Sequence, residues 1–224
     1  ISDSQGNQST QLKRNVIVTD APDTTLPVIT LAGGVEISNE AGTVFVDPGF
    51  SAADDRDGDL TVKVVVTGTV DTANLGTYTL SYSVSDAAGN ASVAVTRKVT
   101  VTDTTAPILS LKGDAETNVE GGTDYTDAGA TVTDSFEGDL NASLTVDNPV
   151  ETSELGEYTV TYSAKDSSGN EGTITRKVIV EDTIAPVITL KGEATVTVEA
   201  GVAYVDEGVT ATDSFEGDLT TSVE

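Results

Sequence analysis

The sequence predicts an all-β protein made of small Greek-key sandwiches in tandem, on three observations. Apolar side chains alternate with hydroxyl side chains, as at Tyr78, Leu80, Tyr82 and Val84, which is the period of a strand with one buried face. Short runs of this kind are separated by turn residues, and no helical periodicity interrupts them. The stretch Leu75 to Asn90 recurs at Leu155 to Asn170 with nine of its sixteen residues unchanged, and Pro27, Pro107 and Pro186 mark a period of about 80 residues. That period is the size of a sandwich domain and too long for a solenoid repeat.

In chain order, Asp3 to Asp20 match Asp86 to Asp103, and residues 1–20 read as the C-terminal strands of a preceding repeat: the Gly6-Asn7 hairpin, then a final strand with Val16 and Val18 on one side. Residues 21–103 read as a complete repeat. Pro27 to Leu31 opens it, where a first or edge strand can spare the proline amide. Val35 to Ser38 continues that strand, and Glu40-Ala41-Gly42 turns it back. Val44 to Ala53 is the second strand, and Asp47-Pro48-Gly49 must kink or bulge it. The acidic loop Asp54-Asp55-Arg56-Asp57-Gly58-Asp59 leads to a strand over Leu60 to Val66. The Tyr78 strand ends in Asp86-Ala87-Ala88-Gly89-Asn90, which supplies the carboxylate and the glycine of a short hairpin loop. Val93, Val95, Val99 and Val101 form the last strand. Residues 104–182 repeat this plan, and residues 183–224 read as the N-terminal part of a further repeat, so the chain is expected to be a piece of a longer array.

Composition excludes several functions. With 11 basic against 37 acidic residues the net charge is −26, which disfavours nucleic acid and favours cations in a saline or calcium-containing exterior. The absence of His and Cys removes the commonest general base, the commonest transition-metal ligand and all thiol chemistry. No nucleophile or phosphate-loop motif stands out from the repeats, so no enzyme is expected. No apolar run approaches the roughly 18 residues of a membrane span, so no membrane insertion is expected in this segment.

Leu75-Gly76-x-Tyr78 and Leu155-Gly156-x-Tyr158 resemble the tyrosine corner of immunoglobulin-like domains, with Leu80 and Val160 where antibody domains place a cysteine. The T-x-A-P-V-I-T-L opening, the D-x-x-x-G-D-L loop and the D-x-x-G-N hairpin resemble the bacterial Ig-like repeats of surface proteins, related in style to HYR modules. The resemblance covers essentially the whole chain. It implies tandem immunoglobulin-like Greek-key sandwiches in an extracellular, non-catalytic, adhesin-type protein. The first repeat departs from the pattern at Leu26-Pro27 and at Asp55-Arg56-Asp57.

Carboxylates recur in the linker, in the loop after the second strand and in the hairpin after the sixth, and sandwich topology brings these three to the N-terminal end of each repeat. The first repeat gathers Asp54, Asp57 and Asp59 with Asp86 and with Asp20 or Asp23. The second gathers Asp134, Glu137 and Asp139 with Asp166 and Asp103, and the third offers Asp213, Glu216 and Asp218 with Asp182. Several carboxylates with loop carbonyls suit calcium, which takes six to eight oxygens in loose geometry, better than magnesium. The organisation is similar to that of cadherins, whose linkers hold calcium and are stiffened by it. A solvated acidic turn needs no ion, so both readings stay open on the sequence. Asp47, Asp127 and Asp206 read as structural, the four strand tyrosines as core, and Phe136 and Phe215 as packing against the preceding domain.

The functional expectation is a stalk of tandem repeats, with neighbouring repeats as partners and calcium at the junctions. Two alternatives remain. One is an adhesion module for extracellular polysaccharide, another surface protein or a cell, against which stands the absence of Trp. The other is a self-assembling subunit of an extracellular sheath or filament.

Overall fold

A computed structural model describes all 224 residues. The chain divides into two compact units, Ile1–Asn39 with Thr43–Thr102, and Glu40–Gly42 with Asp103–Glu224.

The first unit holds β1 (Val28–Leu31), β2 (Glu36–Glu40, whose last residue belongs with the second unit), β3 (Phe50–Asp54), β4 (Gly58–Asp59), β5 (Val65–Thr67), β6 (Gly76–Ser83) and β7 (Val95–Thr102). They form two sheets, ordered β1-β3-β4 and β2-β7-β6-β5. The opening strand changes sheets between β1 and β2. Gly33 makes the crossing possible, because its φ is +75° and a Cβ there would lie 2.7 Å from Pro48. Ile29, Ala52, Leu60, Leu80, Tyr82, Val84 and Val99 fill the space between the sheets.

The second unit repeats the plan with β8 (Ile108–Leu111), β9 (Glu116–Glu120), β10 (Ala130–Asp134), β11 (Gly138–Asp139), β12 (Thr145–Asp147), β13 (Gly156–Lys165) and β14 (Glu171–Glu181). Strand β14 pairs antiparallel with β13 and parallel with β9, in register Lys177 to Glu116 through Glu181 to Glu120. The same unit continues into β15 (Val187–Leu190), β16 (Val209–Asp213) and β17 (Gly217–Asp218), a three-stranded sheet matching β8-β10-β11. These are tandem immunoglobulin-like sandwiches.

Between the sheets of the first two repeats lies an arginine. Alternation along β7 and β14 points Arg97 and Arg176 inward with the core valines, and Arg97 is completely buried. Arg176 pairs with Asp127 and donates to the carbonyls of Lys112, Asp114 and Gly129, while its guanidinium lies 5.7 Å from the centroid of the Tyr162 ring. Asp127 also accepts from the Tyr125 hydroxyl at 2.9 Å and the Tyr162 hydroxyl at 2.6 Å. Arg97 makes the corresponding set with Asp47, Ala32, Gly34 and Gly49, and Tyr82 donates to Asp47. Burial and then the Asp47 bond push the Tyr82 hydroxyl up to about 12. The structural role expected of Asp47 and Asp127 is therefore specific: each is the counter-ion of a core arginine. Asp206 holds the Gly208 amide at 2.6 Å in the same turn of the third repeat.

Several expectations change. Tyr82 and Tyr162 are fully buried, but Tyr78 and Tyr158 are only half-buried, because their hydroxyls reach back to the carbonyls of Asn74 (2.9 Å) and Glu154 (2.8 Å) and close the corner. The Val44 to Ala53 strand pairs only from Phe50, and Val44 and Val46 are exposed, since the Asp47-Pro48-Gly49 kink spends the preceding residues on reaching Arg97. The Leu60 to Val66 strand is a 3-10 turn, Thr61–Lys63, followed by β5. Val93 lies outside β7 and is exposed. In residues 1–20 the hairpin turn forms, with Asp3 accepting from the amides of Gln5 and Asn7, but Val16, Ile17 and Val18 are exposed and pair with no strand.

Two measurements follow. Arg176→Met removes a buried cation and leaves the partly buried Asp127 carboxylate without it, and should cost about 3 kcal/mol in chemical denaturation. Burial acts to raise Asp127, but the tyrosine hydroxyls, the Gly129 amide and the Arg176 charge outweigh it and hold the carboxyl below its ordinary 3.8. Folding thus lowers this pKa, so the stabilisation is complete above the ordinary value and is lost as pH falls through the folded one. Asp127→Asn should be less stable at neutral pH and flatten the acid limb of the stability curve. Tyr158→Phe, which deletes only the corner bond, should cost about 1 kcal/mol by the same assay.

Candidate metal centre

The acidic loop folds as it does because its first aspartate caps it. Asp134 Oδ1 accepts from the amides of Phe136 (2.7 Å) and Glu137 (3.0 Å), and Asp54 and Asp213 do the same for Arg56 and Asp57 and for Phe215 and Glu216. That leaves Oδ2. In Asp54, Asp134 and Asp213 this oxygen is buried and meets no hydrogen-bond donor of the chain. An orphaned buried carboxylate oxygen, repeated three times in one loop, is costly unless a cation faces it.

The hairpin brings the second carboxylate. Asp166 accepts from the Asn170 amide at 2.8 Å and from Asn170 Nδ2 at 2.7 Å, and the same Nδ2 donates to the Asp103 carbonyl at 3.2 Å. Asn170 thereby ties the incoming linker to the hairpin, and Asn90 does this for Asp86 and Asp23. The two asparagines tie the acidic groups together, and a search for charged ligands passes over them. Their signal in the sequence is the D-x-x-G-N spacing, which also appears at Asp3 and Asn7.

Two groups result, each inside one unit. Carboxylate oxygens of Asp23, Asp54 and Asp86 lie within 4.8 Å of one another in the first, and those of Asp103, Glu137 and Asp166 in the second. Asp134 adds its charge to the second: burial first, then the charges of Asp134, Asp166 and Glu40, raise the Asp103 carboxyl. Glu137 also receives the Ser167 amide at 2.9 Å, whereas the shorter Asp57 reaches the Ala87 amide at 2.6 Å and stays outside its group. Of the two linker candidates in the first repeat, Asp23 is the one gathered. It stands four residues before Pro27, as Asp103 does before Pro107, and Asp20 is exposed.

Asp59, Asp139 and Asp218 are not brought into either group. Each lies just before a 3-10 turn and accepts from its first amide, that of Thr61, Asn141 or Thr220, at 2.9 Å. In the third repeat Asp213 is buried beside a linker carboxylate, Asp182, which is raised by burial, by a bond with Glu120 and by the Asp213 charge, and Glu216 is exposed. Each of the two gathered groups could hold a metal ion, and their ligand atoms are all carboxylate oxygens, the donor type of hard divalent cations.

The family model described as bacterial surface protein, Ig-like domain, matches residues 29–101, 109–180 and 188–224. An uncharacterized 81.3 kDa protein of Acholeplasma phage L2 is 29% identical over 188 residues, covering 79% of this chain and 25% of that protein. Hyalin of Strongylocentrotus purpuratus is 33% identical over 183 residues, covering 78% of this chain and 15% of hyalin. The chain thus spans only a small part of the curated relatives it matches. Among solved structures, the M60 catalytic domain with two CBM51 domains of Clostridium perfringens ZmpB superposes with a TM-score of 0.45 at 13% identity, over 75% of this chain and 33% of that one. The protocadherin GammaB4 extracellular domain gives 0.32 at 13% identity, over 90% and 39%. No helix is long and apolar enough to cross a membrane. With three successive matches to one family model across most of its length, the chain belongs to the Ig-like domains of bacterial surface proteins.

Proposed function

We propose that these repeats are a spacer in a secreted or cell-surface protein, and that calcium binds where the linker, the acidic loop and the hairpin of each repeat converge. The observation that carries the ion is the buried, donorless Oδ2 of Asp54 and Asp134 beside two sets of gathered carboxylates. Repeats of one plan at a period of about 80 residues support length over variety. In this reading residues 21–103 and 104–182 are whole repeats, and 1–20 and 183–224 are parts of neighbouring ones. On the same reading the repeats carry no catalysis, in keeping with a sequence that has neither His nor Cys. A carbohydrate platform finds little support, since Tyr204 is the one strongly exposed aromatic side chain. Calcium supplies charge neutralisation. Asp23 and Asp54 with Asp86, and Asp103 and Asp134 with Glu137 and Asp166, would hold it, while Asn90 and Asn170 orient the linker.

Calcium at about a hundred times its dissociation constant adds about 2.7 kcal/mol by mass action. For a domain of this size that raises the melting temperature by roughly 10–20 °C. Calorimetry of the chain in calcium and in chelator checks this, and absence of both binding heat and a melting shift would sink the proposal. Asp134→Asn keeps the capping oxygen and removes the orphaned charge. It should melt no lower than the parent in chelator, yet gain less from calcium.

A further inference from the structure

The turn after β9 does something that neither the sandwich nor the metal groups require. Glu120 Oε1 accepts from the Thr183 amide at 2.9 Å and the Ile184 amide at 3.3 Å, and Oε2 accepts from the Thr183 hydroxyl at 2.6 Å. Those hydrogen bonds hold the linker that enters the third repeat. Beside them, the Phe215 ring from the acidic loop of the third repeat sits over Gly121 and Gly122. A Cβ on Gly121 would lie 2.7 Å from Phe215 Cδ2 and 3.0 Å from Leu155 Cδ2. Gly121 is buried and has no left-handed φ, so its backbone does not demand glycine, whereas the Phe215 ring does. The set recurs within the second unit: Glu40 accepts from the Thr104 amide (2.9 Å), the Thr104 hydroxyl (2.6 Å) and the Thr105 hydroxyl (2.8 Å), and a Cβ on Gly42 would lie 3.6 Å from Phe136.

We infer that this Glu-x-Gly turn is a docking socket for the next repeat, which it recognises by a linker threonine and by a phenylalanine in the acidic loop. The socket fixes the junction between the second and third repeats by direct contact, before any ion is bound. Glutamate reads the linker through three donors, and the bare backbone of Gly121 and Gly122 with Leu155 forms the seat for the ring. The rule also selects. Glu199-Ala200-Gly201 repeats Glu40-Ala41-Gly42 letter for letter, so the third repeat presents a socket to any repeat that carries the same threonine and phenylalanine. The first repeat has Arg56 where the others have Phe136 and Phe215, and Arg56 is spent on the Ala21 carbonyl at 2.8 Å, so that repeat lacks the plug. The inference shares with the spacer reading only the premise that the repeats are neighbours in one array, and it does not need the metal.

The chain contains no cysteine, so Thr159→Cys in the second repeat and Thr212→Cys in the third, both exposed, give one clean spin-label pair in the full 224-residue chain. The distance distribution is expected to be narrow in calcium and in chelator alike. Phe215→Ala should broaden it and shift its mean in both conditions. Gly121→Val attacks the seat from the other side and should do the same while leaving the Phe215 loop unaltered, which guards against a third repeat that fails to fold. Asp134→Asn should leave the distribution unchanged. A distribution that is broad in chelator and narrows only with calcium, or one indifferent to both Phe215→Ala and Gly121→Val, overturns the socket. The first of those outcomes would leave the calcium proposal standing, and failure of calcium to bind would leave the socket standing.

Discussion

A buried arginine on the closing strand is the constraint to which the first two repeats are fitted. A guanidinium between two sheets must have its donors satisfied, and a lone carboxylate cannot do that. Arg176 therefore collects three backbone carbonyls as well as Asp127, and those carbonyls belong to the crossing after β8 and to the start of β10. The crossing and the kink are both shaped by this demand. Pro48 and Gly49, which no regular strand would tolerate, are the means by which Asp47 is swung into the core to meet Arg97. The two core tyrosines close the network by donating to the same carboxylates, so the polar centre is fully paired and can sit among valines.

At the far end of β3 and β10 the logic is reversed. There the chain concentrates negative charge and leaves one oxygen of the capping aspartate without a donor. The contrast matters because both places contain aspartate withdrawn at least in part from solvent and only one contains its cation. In a chain with a net charge of −26 an unneutralised carboxylate cluster works against compaction, so the site is expensive in isolation and inexpensive with a divalent ion. Asn90 and Asn170 convert this local arrangement into a property of the linker, since they bond the linker carbonyl and the hairpin carboxylate at once.

The linker is thus held on two counts. Its aspartate faces the carboxylates of the repeat it enters, and its threonines bond the glutamate of the turn behind it. Burial and neighbouring charge raise Asp103, whereas the threonine donors pull Glu40 down to about 2, so these two carboxyl groups are shifted in opposite directions. The threonine contacts and the gathered carboxylates are thus separate features of the same linker.

The sequence by itself determined the periodicity, the strand alternation, the tyrosine corner and the two kinds of acidic turn, because each of these is written in residues close together in the chain. Alternation at Tyr82 and Tyr162, the Asp86 and Asp166 hairpins and the kink at Asp47 are local patterns with local causes. Only the tertiary structure decided which carboxylates meet. Asp23 joins Asp54 and Asp86 while Asp20 does not, and Asp59 and Asp139 turn to their own 3-10 turns, because a side chain bonds the nearest donor before it reaches a distant centre. Tertiary contact likewise decided what Arg97 and Arg176 bond, since alternation turns them inward with the valines but does not record the carbonyls of the separate crossing that surround them. It also gave Glu120, Gly121 and Phe215 their shared purpose, for nothing in a turn of three residues records the ring, nearly a hundred positions later, that it must seat.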